Sequence, residues 1–282
     1  MQFHLNTAEI FVPDGISEEQ ALARTTHMAI AAHQDDIEIM AAGPILECFQ
    51  QEDKWFTGVV VSDGRGSPRD DLYKNFSDED MHVVRFKEQK KAAIVGEYAA
   101  QVLLDYPSKV VKDGSNSQPV DDLFTLLKIA HPQVIFTHNL ADKHDTHVSV
   151  ALRTIAAIRR LPENERPEKL FGCEVWRDLD WMMDSDKVSF DLSKHESLQA
   201  ALLGVFDSQI CGGKRYDLAT MGRRRANATY FESHGVDVTL GMSYAMDLTP
   251  LVVDSGKDVA VHVQEFINRF EQDVIGRLRK FG

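Results

Sequence analysis

Residues 26–36 read THMAIAAHQDD, and residues 133–147 read QVIFTHNLADKHDTH. Each stretch starts as a short apolar run and ends in a polar cluster rich in His and Asp. Thr26 to His33 has the length and near-continuous hydrophobicity of a strand covered on both faces, and so does Gln133 to His138. A helical pattern follows each of them: Pro44 to Gln51, with Pro44 in the first turn, and Thr146 to Arg160, with Asp145 or Thr146 near its cap. Strand then helix, repeated, predicts α/β architecture with a mostly parallel sheet.

The same alternation continues on either side. Trp55 to Ser62 reads as a strand, Met81 to Glu97 as a helix and Ala99 to Tyr106 as a strand. Val120 to Ala130 reads as a helix and Leu170 to Arg177 as a strand. Between them, Asp63 to Asp80 is polar and rich in Gly, Pro and Asp, so it is expected as a long loop, a kind that is often functional. Leu161 to Pro167 holds two prolines and reads as a turn. Further on, Ser197 to Phe206 and Arg215 to Phe231 look helical, Val236 to Tyr244 is expected as an edge strand, and Lys257 to Lys280 as a closing helix. With no repeat or clear linker, residues 1–282 are expected to form a single domain. It should be a Rossmann-like sheet with helices on both faces plus a C-terminal α+β extension.

Composition narrows the function classes. With 43% hydrophobic and 27% charged residues the chain is an ordinary globular protein, so disorder and collagen-like or coiled-coil readings fail. Lys+Arg 31 against Asp+Glu 44 gives a net charge of -13, which argues against a nucleic-acid partner. The short run Arg223-Arg224-Arg225 reads as a solvated helix face, with an anionic substrate group as the alternative. Cys48, Cys173 and Cys211 form no CxxC pair, so buried reduced thiols are expected. The opening MQFHLNTAEIFVPDG lacks a basic segment followed by an apolar run, and no stretch is long enough for a membrane span. A cytoplasmic location is the expectation. Phe266, Ile267, Phe270, Val274 and Leu278 recur at helical spacing, which suits packing or a second subunit of a homo-oligomer.

Open parallel sheets carry their sites beyond the C-terminal strand ends, where strand order reverses. His33-Gln34-Asp35-Asp36 and the segment from His138 to His147 sit at two such ends. A His and a carboxylate three residues apart in a tight turn can reach one cation, and a second His from another loop makes three ligands with one position open. Read singly, each cluster could be a helix cap or a surface histidine; together they favour a metal.

AHQDD (Ala32 to Asp36) after a strand, with KHDTH (Lys143 to His147) opening a later helix, resembles the PIG-L/LmbE-type N-deacetylase family, whose motifs usually read HPDD and HPDH. Arg85 and Glu88 resemble its R-x-x-E helix; Ser208-Gln209 and Tyr230 to Glu232 resemble its C-terminal pattern. Gln34 stands where the family usually has Pro, and Asp145-Thr146 replaces Pro-Asp. Tyr106-Pro107-Ser108 lacks an acidic residue often found after the third strand. No departure removes a metal ligand.

The resemblance implies that His33, Asp36 and His147 hold Zn2+, with iron or manganese acceptable to the same ligands. It implies Asp35 as general base and protonated His144 as the group that steadies the oxyanion. Arg85 would meet a polar part of the substrate. The implied function is removal of an N-acyl, mostly acetyl, group from an N-acylated amino sugar or similar small molecule by metal-activated water. Rival readings are a metal hydrolase of another amide or ester, a metal-binding relic without turnover, and a non-catalytic Rossmann-type nucleotide-binding or regulatory module. The last lacks a glycine fingerprint after the first strand.

Overall fold

The structure is a computed structural model that describes residues 1–282. In chain order its strands are β1 (Glu9–Phe11), β2 (His27–Ala31), β3 (Phe56–Ser62), β4 (Ala100–Tyr106), β5 (Val134–His138), β6 (Lys169–Cys173), β7 (Lys187–Asp191) and β8 (Met242–Asp247). Its helices are α1 (Glu18–Ala23), α2 (Asp36–Met40), α3 (Ala42–Cys48), α4 (Asp78–Val95), α5 (Ser108–Lys112) and α6 (Gln118–Ala130). After them come α7 (Asp145–Arg159), α8 (Glu196–Gly204), α9 (Asp207–Ile210), α10 (Tyr216–Tyr230), α11 (Pro250–Val253) and α12 (Val259–Phe281).

The strands form one sheet in the order β1-β4-β3-β2-β5-β6-β8-β7. From β4 to β6 the pairing is parallel; β1, β8 and β7 each pair antiparallel. The expected α/β sheet is therefore present, and its C-terminal α+β part continues the same sheet. Every residue of β2 is buried, and successive side chains serve opposite faces. Met28 and Ile30 join an apolar layer with Leu123, Leu127 and Ile155 of α6 and α7, while Ala29 and Ala31 join a second layer with Ile45, Phe86 and Leu202. Helices on both faces explain why this strand is apolar throughout.

Chain order reverses between β2, whose next strand in sequence lies on one side, and β5 on its other side. The crevice opened there is bounded by residues 32–36 after β2 and 139–147 after β5. Topology alone thus brings both polar clusters to one place.

Several boundaries differ from the sequence reading for local reasons. α4 starts three residues before the expected Met81 because Ser77 and Asp80 form a capping box, each side chain taking the other's backbone N–H. The short helix α2 precedes the expected one, and the chain re-caps at Ala41 before α3. The expected edge strand over 236–244 is displaced: Val236 and Val238 are exposed in a loop, and the strand is β8, inside the sheet between β6 and β7. The true edge, β7, reads KVSFD and is only half-buried, so its polarity hid it. β1 is three residues long, too short to register as periodicity.

Candidate active site

The turn after β2 is tightly specified. Asp35 takes φ 87°, a conformation that costs a non-glycine residue on the order of 1–3 kcal/mol. It is held there by its own N–H donating to Gln89 Oε1 at 3.2 Å and by its carbonyl accepting from Ile39 N–H at 3.1 Å. The turn points Asp35 and Asp36 in different directions, so two adjacent carboxylates serve different neighbours.

Asp36 Oδ2 is the focus of the site. It accepts from the His33 backbone N–H at 2.8 Å and lies 3.1 Å from His33 Nδ1 and 3.2 Å from His147 Nε2. His147 Nε2 is in turn 3.2 Å from His33 Nδ1. Four-coordinate zinc at ~2.0–2.1 Å from each ligand sets ligand atoms about 3.3 Å apart, so this triangle is the right size for such an ion. The donor set, two imidazoles and a carboxylate, suits zinc and its first-row neighbours. These three residues could hold a metal. A second grouping of His138, Asp142 and His147 also converges. It fits less well, because His138 Nε2 already accepts the Ala32 N–H at 2.8 Å.

Burial disfavours charge on Asp36, yet His147 and His138 beside it hold its carboxyl well below the usual range. Burial likewise opposes a proton on His147, but Asp36 and Asp142 prevail and push it up to about 9. Asp142 is the orienting residue: its Oδ2 lies 3.2 Å from His147 Nδ1 and accepts the Trp176 N–H at 3.2 Å. Its Oδ1 accepts backbone N–H groups of Lys143 at 2.6 Å and Arg177 at 3.3 Å. Such a carboxylate–imidazole pair fixes the ring of His147, as is needed of a histidine that is to hold a metal. The sequence offered only the usual ambiguity of an Asp in a polar loop.

Burial, partly offset by Arg85, pushes Asp35 up to about 8. Its Oδ1 is 3.7 Å from Arg85 Nη2, and Arg85 also donates to the Gln34 carbonyl and to Ser67 Oγ. His144 packs edge-on against His33, ring centroids 5.0 Å apart, and tilted against His147 at 4.5 Å. Its Nδ1 is buried and without a hydrogen-bond partner. Burial, with His147 and His33 adding to it, lowers His144 to about 4, so it is a neutral imidazole at pH 7 rather than the imidazolium expected. A cavity of about 540 Å³ opens on this group and is lined by His33, Asp35, Asp36, Arg85 and His144.

Five of the six expected site residues therefore line one cavity, and the sixth, His147, is fully buried behind them with its Nε2 3.2 Å from Asp36 Oδ2. Glu88 lies behind it: its carboxylate accepts the Ser208 N–H at 2.8 Å and the Ser208 hydroxyl at 2.6 Å, which sets neighbouring Gln209 in the cavity wall. Tyr230, by contrast, is 78% exposed and takes no part. Gly64, Gly66, Ser67 and Pro68 line the cavity, as expected of the long loop. Gly64 is required there: at φ 70°, a Cβ would come within 2.4 Å of Gln34 Oε1. Of the arginine run, Arg225 is exposed and Arg223 is half-buried. Arg224 is buried, donating to the carbonyls of Glu38 and Ile39, and Arg223 donates to the Val175 carbonyl. His262, far from the site in α12, is buried with Nε2 2.9 Å from the Asp247 carbonyl oxygen.

Residues 28–158 match the model of a protein family described as PIG-L, GlcNAc-PI de-N-acetylase. No curated protein matches the sequence. Among solved structures, the chain is similar to GalB, the 4-carboxy-2-hydroxymuconate hydratase of Pseudomonas putida KT2440 (TM-score 0.61, 14% identity, covering 79% of this chain and 96% of that one). It is also similar to the N,N'-diacetylchitobiose deacetylase of Pyrococcus horikoshii (TM-score 0.57, 18% identity, 78% and 83% covered). A third similar structure is the zinc-inhibited form of teicoplanin deacetylase (TM-score 0.54, 13% identity, 79% and 98% covered). At such identities the likeness is one of fold, and this fold serves a hydratase as well as deacetylases.

Proposed function

Residues 28–158 form a PIG-L family domain, and from that premise we propose that the chain is a zinc-dependent hydrolase that removes an N-acetyl group from an amino sugar or similar small molecule. The observation that carries this reading is the triangle of His33 Nδ1, Asp36 Oδ2 and His147 Nε2, with edges of 3.1 to 3.2 Å, opening on a cavity that also presents an unpaired-imidazole face and a second carboxylate. A hydrolase needs these parts together: a place for a Lewis acid, a base beside it and a donor for the developing oxyanion.

His33, Asp36 and His147 would hold the ion. Bound there, zinc supplies Lewis acidity and lowers the pKa of water from about 16 to about 7. Asp35 is the proposed base. Burial gives its carboxylate a high proton affinity, which Arg85 at 3.7 Å only partly offsets, and it accepts the proton of the attacking water. His144, neutral and in the cavity wall, is the proposed donor toward the amide oxygen as charge develops there. The proton then returns to the departing amine from Asp35 or His144. Arg85 has a place on the cavity wall and is proposed to hold a polar group of the substrate.

Asp35→Asn tests the assignment. The variant should keep its zinc and lose activity by about 10²- to 10⁴-fold, measured as acetate released from a panel of N-acetylated amino sugars. Unchanged kcat with zinc in place would remove Asp35 from the role. Addition of water to an unsaturated acid with no acetate released from any amide would instead favour hydratase chemistry.

A further inference from the structure

A second cavity, of about 350 Å³, adjoins the first and shares Ile39, Val175, Trp176, Lys214 and Tyr216 with it. Its charge is unlike that of the chain. Lys143, Lys214, Arg215 and Arg223 line it and no carboxylate does, although acidic residues outnumber basic ones 44 to 31 overall. Arg215 is engaged by Asp217 at 2.7 Å, and Arg223 donates to the Val175 carbonyl. Lys143 and Lys214 form no ion pair. Lys214 Nζ instead sits 4.5 Å over the Trp176 ring.

Position sharpens the point. Lys214 and Arg215 immediately precede α10, so cations sit at a helix N-terminus, where the dipole is positive. A cation there faces the positive end of the helix dipole, and an anion lying among the cations and the helix N–H groups would relieve that repulsion. Trp176 lines both cavities: its ring stacks with that of His144 at 6.3 Å, and Lys214 Nζ lies over it at 4.5 Å. Val175, Trp176, Lys214, Tyr216 and Arg223 all lie outside residues 28–158, so this wall is supplied by the part of the chain beyond the family match.

We propose that this side cavity is an anion subsite, and that the substrate carries, beyond its N-acyl group, a phosphate-type dianion held by Lys143, Lys214 and Arg223 past Trp176. The proposal rests on the deacetylase reading for the rest of the substrate, but the subsite itself can be tested apart from turnover. Two ammonium groups without a carboxylate partner match a doubly charged anion, and lysine binds phosphate as a point charge.

The test is calorimetric titration of inorganic phosphate into the zinc-loaded protein at low ionic strength, for wild type and the double variant Lys143→Ala/Lys214→Ala. Saturable binding in wild type should weaken at least about tenfold in the double variant, as the loss of two charge-assisted contacts requires. It should stay unchanged in Lys91→Ala/Lys128→Ala, which removes the same charge outside both cavities. No saturable binding, or equal binding in the first double variant, overturns the subsite. Acetate release from N-acetylglucosamine and from its 6-phosphate supplies the second readout. A preference for the phosphorylated sugar that disappears in Lys143→Ala/Lys214→Ala supports both proposals. Equal release from both sugars overturns the subsite and leaves the deacetylase. Phosphate binding lost in the variant, with no acetate released from any amide, supports the subsite and overturns the deacetylase.

Discussion

Asp142 shows how much a single side chain outside the proposed metal ligands decides. Its Oδ2 faces His147 Nδ1 and the Trp176 N–H, and its Oδ1 faces the N–H groups of Lys143, His144 and Arg177. An ionised carboxylate accepts on both oxygens; an asparagine cannot. Either orientation of the amide in Asp142→Asn sets an N–H against donors, so the His147 ring loses its fixed tautomer. Zinc affinity should fall about 10- to 100-fold, measured by competition with a fluorescent chelator. An unchanged affinity would show that His147 is oriented by packing alone, for instance by the stacked His138 ring 3.9 Å away. The sequence could not single out Asp142 from Asp145 in the same segment, because their difference lies in the backbone donors contributed by residues 176 and 177, far away in the chain. That the His33–Asp36 turn and the segment from His138 to His147 meet was legible because strand ends placed both clusters at one edge of the sheet, whereas the choice of His147 among the three histidines of that segment came from the family resemblance.

Between elements, Glu174 does for the sheet what Glu88 does for the cavity wall. Lying just past β6, it accepts from Asn227 of α10 at 2.6 Å, from the Tyr244 N–H of β8 at 3.3 Å and from the Leu179 N–H at 3.1 Å. Burial pushes its carboxyl above the ordinary range, against Arg223 and these donors. The folded chain therefore keeps a proton there at pH values where the unfolded chain, with an ordinary pKa of about 4.3, has released it. Glu174 thus opposes stability increasingly as pH rises from about 4 toward its raised value, and by a constant amount above that. In Glu174→Gln this slope vanishes. The difference in unfolding free energy should move in favour of the variant from about pH 4 upward and then level, in urea titrations across that range. A difference that is flat with pH would mean Glu174 is ionised as readily folded as unfolded. Long apolar elements such as β3 and α6 were legible from periodicity, whereas β7 and β1 were not: a polar edge strand and a three-residue strand exist only because β8 and β4 offer them partners.

For the whole molecule, the strand order is what makes a site of two polar turns. The reversal between β2 and β5 joins residues more than a hundred positions apart, and α/β sheets hold ligands at such points. The second cavity is built mostly by β6's exit and α10, with Ile39 and Lys143 completing it, so the chain beyond residue 158 helps shape what surrounds the proposed reacting group. No helix is long and apolar enough to cross a membrane. The central claim is that His33, Asp36 and His147 hold one zinc ion. Its most direct test is metal content per chain, measured by mass spectrometry on wild type and His147→Ala after incubation with zinc and removal of the excess. About one zinc per chain in wild type and little in the variant is the predicted result, as a three-ligand site loses most of its affinity with one ligand gone. No zinc in wild type, or full occupancy retained in His147→Ala, would contradict the account.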